Sequence, residues 1–152
     1  MNYGYKRFSI SVIVAVIVVG AGFGSLTGLA YSQTLWWIGT IVGGLCGYPL
    51  ARIYLRSLER SRARGSSGLA TWLSGTFVAT LCGILCTVVV HVTMMATSSV
   101  VTPITDTELG SSLWPVFLFF GVQIGAGAGF VVGGICSLVF SLYLKAPGHE
   151  TK

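Results

Sequence analysis

The amino-acid sequence predicts an all-α integral membrane protein with four transmembrane helices. The helices form two tandem hairpins that are parallel to each other and are packed through rows of glycine. Only 9% of the 152 residues are charged and the mean hydropathy is +0.83, whereas about a quarter of the residues of a soluble domain are charged. Four apolar segments are long enough to span a bilayer, and glycines recur within them at intervals of four. This composition excludes a soluble globular domain and a disordered chain.

The four apolar segments follow one another as a single membrane domain over residues 1–152. The first begins after two basic residues, the second ends where a basic run begins, the third begins after that run, and the fourth ends before Lys145. They cover residues 8–31, 35–55, 69–97 and 113–144. Because a spanning helix needs roughly 20 residues, the last two must tilt or protrude. None shows the alternation of a membrane β-barrel, so helices are predicted.

The basic residues predict the topology. All nine lie before the first segment, from the end of the second segment to the start of the third, or at the C-terminal end. They are Lys6, Arg7, Arg52, Arg56, Arg60, Arg62, Arg64, Lys145 and Lys152. With four spans these regions share one side, and the opposite loops, residues 32–34 and 98–112, contain no lysine or arginine. The positive-inside rule therefore predicts a multi-pass protein of the cell (inner) membrane with both termini in the cytoplasm.

The basic loop between the second and third segments has two interpretations. Its four arginines are Arg56, Arg60, Arg62 and Arg64. They are candidates for binding anionic lipid headgroups. Alternatively, they serve only to fix the topology in the membrane. The second interpretation is simpler because the positive-inside rule already requires such a loop. The net charge of +5 is explained in either case, so no nucleic-acid partner is predicted.

Rows of small residues spaced four apart are the most specific feature of the chain. The rows comprise Gly20, Gly24 and Gly28 in the first segment, Gly39, Gly43 and Gly47 in the second, and Gly121, Gly125, Gly129 and Gly133 in the fourth. A weaker row in the third segment comprises Gly75, Ala79, Gly83 and Thr87. Such GxxxG rows let two helix backbones approach closely in lipid. They predict packing within one four-helix unit, or contact with other subunits or a pore.

Two further patterns concern the fourth segment. Its stretch 125–129 alternates glycine and alanine, so it is small on every face, and we expect this helix to be the most enclosed of the four. Residues 129–137 also resemble residues 39–47, with glycines and a cysteine at matching positions. Because the second and fourth segments run in the same direction, this likeness predicts a tandem repeat of two hairpins.

One imidazole and one amide lie well inside the predicted spans. His91 continues the small row of the third segment, so we expect it to face protein. Gln123 lies at a depth within about 5 Å of His91, at 1.5 Å of rise per residue. We therefore predict a polar intramembrane site formed by Thr87, His91 and Gln123, with a hydrogen bond between the last two. Ionisable groups in spans are functional hypotheses by default, while a structural role is the simpler interpretation.

Four cysteines, at positions 46, 82, 86 and 136, also lie within the spans. Cys82 and Cys86 share a helix face, which a metal or redox site would require, but the chain has no Cys-x-x-Cys motif. Free cysteine is commonly a small buried packing residue. We therefore expect packing, with no metal, no cofactor and no catalytic residues.

These patterns favour a non-enzymatic membrane subunit that packs through its GxxxG rows. Its expected partners are the lipid bilayer and either itself or another membrane protein in a larger complex. One alternative is a small channel or transporter with a path between the third and fourth helices. Another is an electron-transfer subunit that binds a cofactor through His91, although haem between helices usually has two axial ligands.

Overall fold

The structure, a computed structural model, describes residues 3–31, 35–101 and 107–145, with side chains described for 5–30, 35–97 and 115–142. These residues form four α-helices, and no strand occurs among them. The helices are α1 (Tyr3–Tyr31), α2 (Trp36–Ala63), α3 (Gly68–Val101) and α4 (Thr107–Lys145). Each contains a stretch long and apolar enough to cross a membrane. The predicted all-α, four-span membrane fold is therefore confirmed.

Helix α2 continues well beyond its apolar span. It ends at Ala63 rather than at residue 55, so three of the four arginines assigned to a loop lie on its last turns. Arginine and glutamate are good helix formers, and they continue a helix whose apolar part has already ended. The turn that follows is a Schellman motif: Gly65 has φ of 65°, and Ser66 N–H donates to the carbonyl of Ser61 at 3.2 Å.

The connection between α3 and α4 is shorter than the predicted loop of residues 98–112. Helix α3 reaches Val101 and α4 begins at Thr107, six residues before the predicted start of its span. Residues 102–106 lie outside the described chain. At 1.5 Å of rise per residue, the two helices are long enough to extend beyond a hydrocarbon core of about 30 Å.

Helices α1 and α2 form the first antiparallel hairpin, and their backbones touch along a line that we call the first seam. A methyl group built on Gly24 would overlap the carbonyl oxygen of Gly39, and one built on Gly20 would overlap that of Gly43. The contacts that complete the first seam join Gly28 to Leu35 and Gly47 to Ile17. Glycine is required at these positions because a carbonyl occupies the space of the missing side chain.

Helices α3 and α4 form the second antiparallel hairpin in the same way, along the second seam. The backbones of Gly83 and Gly125 touch, and Gly129 lies against the backbone of Ala79. The remaining contacts join Gly121 to Thr87 and His91, Gly133 to Ala79, and Gly75 to Ser137. Because α3 carries only two glycines in this seam, alanine, threonine and histidine side chains fill part of it.

The two hairpins join through α2 and α3. Leu50 of α2 packs in a buried cluster with Cys86 and Val90 of α3. Successive helices run in opposite directions, so the start of α1 and the end of α2 lie together, where Tyr5 donates a hydrogen bond to Glu59 Oε1 at 2.6 Å. We call this the basic end, because it also holds the arginines of α2.

Burial does not follow the expectation that α4 is the most enclosed helix. In the 18-residue apolar stretch of α2, 39% of residues are buried, but in that of α4 only 17% are, so that expectation is wrong for the single chain. The reason is position: α4 packs mainly against α3. A methyl group on Gly127 would meet nothing within 4 Å, so one side of its small stretch faces outward.

Candidate functional site

The structure brings two of the three predicted polar residues together. Thr87 is fully buried and His91 is 6% exposed. The Thr87 hydroxyl lies 3.0 Å from the carbonyl oxygen of Gly83 and 3.3 Å from that of Gly121. His91 Nδ1 lies 3.0 Å from the carbonyl oxygen of Thr87. Because a carbonyl only accepts hydrogen bonds, Nδ1 carries the proton and donates it.

Gln123 does not join this pair. Its side chain is exposed on the outward face of α4, and the residue opposite the His91 imidazole is Gly121. The separation follows from helix geometry, because two residues turn a helix by about 200°. Gly121 belongs to the row that faces α3, so Gln123 must point away. Within the described part of the chain, no hydrogen bond to the Gln123 amide forms.

A second buried polar contact links the hairpins, and the sequence patterns did not single it out. The Tyr54 hydroxyl of α2 donates to the carbonyl of Gly133 at 3.0 Å and lies 2.7 Å from Ser137 Oγ. Tyr54 is 4% exposed. It lies seven residues after Gly47, which places it on the same helix face as the glycine row of α2. That spacing is the signal that identifies it as an inward-facing residue.

An apolar cavity of about 90 Å³ lies between the four helices. On α1 its walls include Val12, Val16, Val19 and Phe23, and on α4 they include Ala128, Val132 and Cys136. Tyr54 and Thr87 also line it, but the hydroxyls of both are hydrogen-bonded within the chain. The wall therefore presents hydrocarbon rather than open polar groups.

The cysteines are distributed as packing residues. Cys82, Cys86 and Cys136 line the cavity. Cys86 belongs to the buried core between α2 and α3, and Cys46 and Cys82 pack against that core. All four thiols are free. Among the residues that the structure describes, no group of three histidine, cysteine, aspartate or glutamate side chains is placed to hold a metal ion.

The predicted lipid-headgroup residues gather at the basic end. Arg56, Arg60, Arg62 and Arg64 are all exposed there. One turn deeper in α2, the Arg52 guanidinium lies 5.7 Å from the centroid of the Tyr48 ring, within the range of a cation–π contact. Exposed guanidinium groups at a membrane end fit both headgroup binding and a topological role.

Comparisons with known proteins add no functional assignment. No protein-family model, no curated protein and no solved structure matches the chain. Its function must therefore be inferred from its own geometry.

Proposed function

We propose that the chain is a non-enzymatic membrane subunit that assembles with a second copy of itself through the outward face of α4. One observation carries the proposal: the Gln123 amide is exposed on this face. It is surrounded by apolar side chains, with Phe119 61% and Ile124 60% exposed. An amide without a partner is costly in hydrocarbon, so a partner beyond the single chain would stabilise it.

A second copy meets the requirements of this face. A glutamine amide has both donors and an acceptor, so two copies of Gln123 can bond reciprocally across a two-fold axis. Four residues further along α4, Gly127 has open space beside it, which permits close approach of another helix. The glycine rows cannot serve this purpose, because the two seams already occupy them within the chain.

The polar groups in the described spans support a structural rather than a catalytic role. Tyr54, Thr87 and His91 direct hydrogen bonds to backbone carbonyls, as does Trp72, whose indole donates to Gly134 at 3.0 Å. The alternative of a path between α3 and α4 loses support because their backbones touch at Gly83. The cofactor alternative also lacks a specific observation in its favour.

The assembly role predicts the behaviour of a Gln123→Leu variant. The loss of two reciprocal bonds of about 0.6 kcal/mol each corresponds to a roughly sevenfold weaker association. The variant should remain folded, because leucine at an exposed position faces lipid without cost. Light scattering of the protein in mild detergent measures the change, and Gln123→Asn, which keeps the amide, should dimerise more strongly than Gln123→Leu. A wild-type chain that is monomeric under these conditions would contradict the proposal.

We also propose that the basic end faces the cytoplasm of the cell that carries this protein in its inner membrane. A cysteine introduced by Ser111→Cys should then react with an impermeant thiol reagent added to intact cells, and one introduced by Ser66→Cys should react only after the membrane is opened. The nine basic residues support this orientation through the positive-inside rule. Reversed labelling of the two positions would refute it.

A further inference from the structure

We propose that the apolar cavity between the four helices is a binding slot for one hydrocarbon tail of a bilayer lipid. The cavity walls extend from Val12 to Phe23 on α1 and from Gly125 to Cys136 on α4. At 1.5 Å of rise per residue, each wall is about 16 Å long. A long, narrow, apolar space suits an extended tail better than a compact guest.

The chemistry of the walls excludes a polar occupant. The two hydroxyls that line the cavity, those of Tyr54 and Thr87, already bond within the chain. A water molecule needs two to four polar partners to stay in a cavity, and apolar cavities remain dry. The remaining wall consists of aliphatic side chains, glycine backbone, one phenylalanine and three thiols. An occupant that matches this surface must therefore be a hydrocarbon.

The position of the cavity opening indicates that the occupant comes from the bilayer. Helix α1 packs closely on α2, less closely on α3 and least closely of these three on α4, so the open side of the bundle lies between α4 and α1. On that side, the rings of Tyr5 and Phe8 meet Phe140 at the basic end, with centroids 6.2 and 5.6 Å apart. Val19, further from that end, lines the cavity while 41% of its surface is exposed. The slot therefore opens sideways, toward lipid tails.

The test uses the full chain in vesicles containing a phosphatidylcholine with a photoreactive diazirine on one tail. After illumination, mass spectrometry should find adducts on the inward residues Val16, Val132 and Cys136, in addition to the outer surface. The Ala128→Leu variant fills the slot and should reduce the inward adducts several-fold, while adducts on the outward residues Phe130 and Ile135 stay unchanged. Ala126→Leu, the same change two residues away and outside the cavity wall, should leave both sets unchanged.

A second variant distinguishes a blocked cavity from a misfolded chain. Val19→Phe narrows the mouth at a half-exposed position, where the fold tolerates a larger side chain, and it should also reduce the inward adducts. Adducts confined to outward residues in the wild-type chain would overturn the proposal. So would inward adducts that persist in both folded variants.

Discussion

The Gly24→Leu variant is expected to prevent the first hairpin from closing. A methyl group at this position already overlaps the carbonyl oxygen of Gly39, and the Cα of Gly43 would lie 3.2 Å away. These obstacles are backbone atoms, which cannot rotate aside. We therefore expect a cost above the about 1–3 kcal/mol typical of overpacked cores. In detergent gel filtration, the folded peak should be largely lost.

Gly22→Leu is the matched control for this change. It makes the same substitution on the same helix, two residues away, but a methyl group there meets nothing within 4 Å. Substitutions at such surface positions usually change stability by less than about 0.5 kcal/mol, and leucine favours the helix more than glycine does. If the two variants eluted alike, α1 would not pack on α2 through its glycine row.

The Gly129→Leu variant should open the second hairpin. A Cβ atom at this position would lie 3.0 Å from both the carbonyl carbon of Ala79 and the Cα of Thr80, and closer still to the Ala79 carbonyl oxygen. The four-carbon side chain would separate α3 from α4. The nearby contact between Gly83 and Gly125 would then be lost. We expect a destabilisation of at least about 3 kcal/mol, measured as a fall in the melting temperature and in the amount of folded protein.

Val139→Leu provides the comparison for the second hairpin. Val139 lies on α4, is 39% exposed, and lies off the glycine row, so an added methylene should find room in the lipid. Its melting temperature should stay close to that of the wild-type chain. Equal destabilisation of the two variants would mean that the glycine row of α4 does not form the second seam.

The sequence predicts the four spans and the glycine rows because both depend on local, periodic patterns. Small residues four apart lie on one helix face, so Gly20 and Gly24 share a surface whatever the partner helix. Which helix packs against that surface depends on the tertiary structure. The structure shows that both seams form within one chain, whereas the pattern alone also allows contact between subunits.

The helix ends and the depth-based pairing were less predictable for different physical reasons. Apolar content ends near residue 55, but the helix continues to Ala63 because its hydrogen bonds do not depend on lipid. Depth placed His91 and Gln123 at one level, yet depth does not specify the direction in which a side chain points. The glycine row containing Gly121 does specify the direction of the Gln123 side chain, since Gln123 is rotated by about 200° from that row. The contact from Tyr54 to Ser137 spans 83 residues, a separation that no local pattern encodes.

We propose that the glycine rows close the chain upon itself and leave the Gln123 face of α4 for a second copy. Oxidative cross-linking of a Phe119→Cys variant in native membranes tests this assembly, because Phe119 is exposed one turn before Gln123 and the variant keeps the Gln123 amide. A disulfide requires Cβ atoms about 3.5–4.5 Å apart. We expect a disulfide-linked species of twice the 16.0 kDa chain mass. It should be absent from the wild-type chain, with its four native cysteines, and from Leu81→Cys on the exposed face of α3. A Phe119→Cys chain that stays monomeric, or that cross-links no better than Leu81→Cys, would contradict assembly through this face.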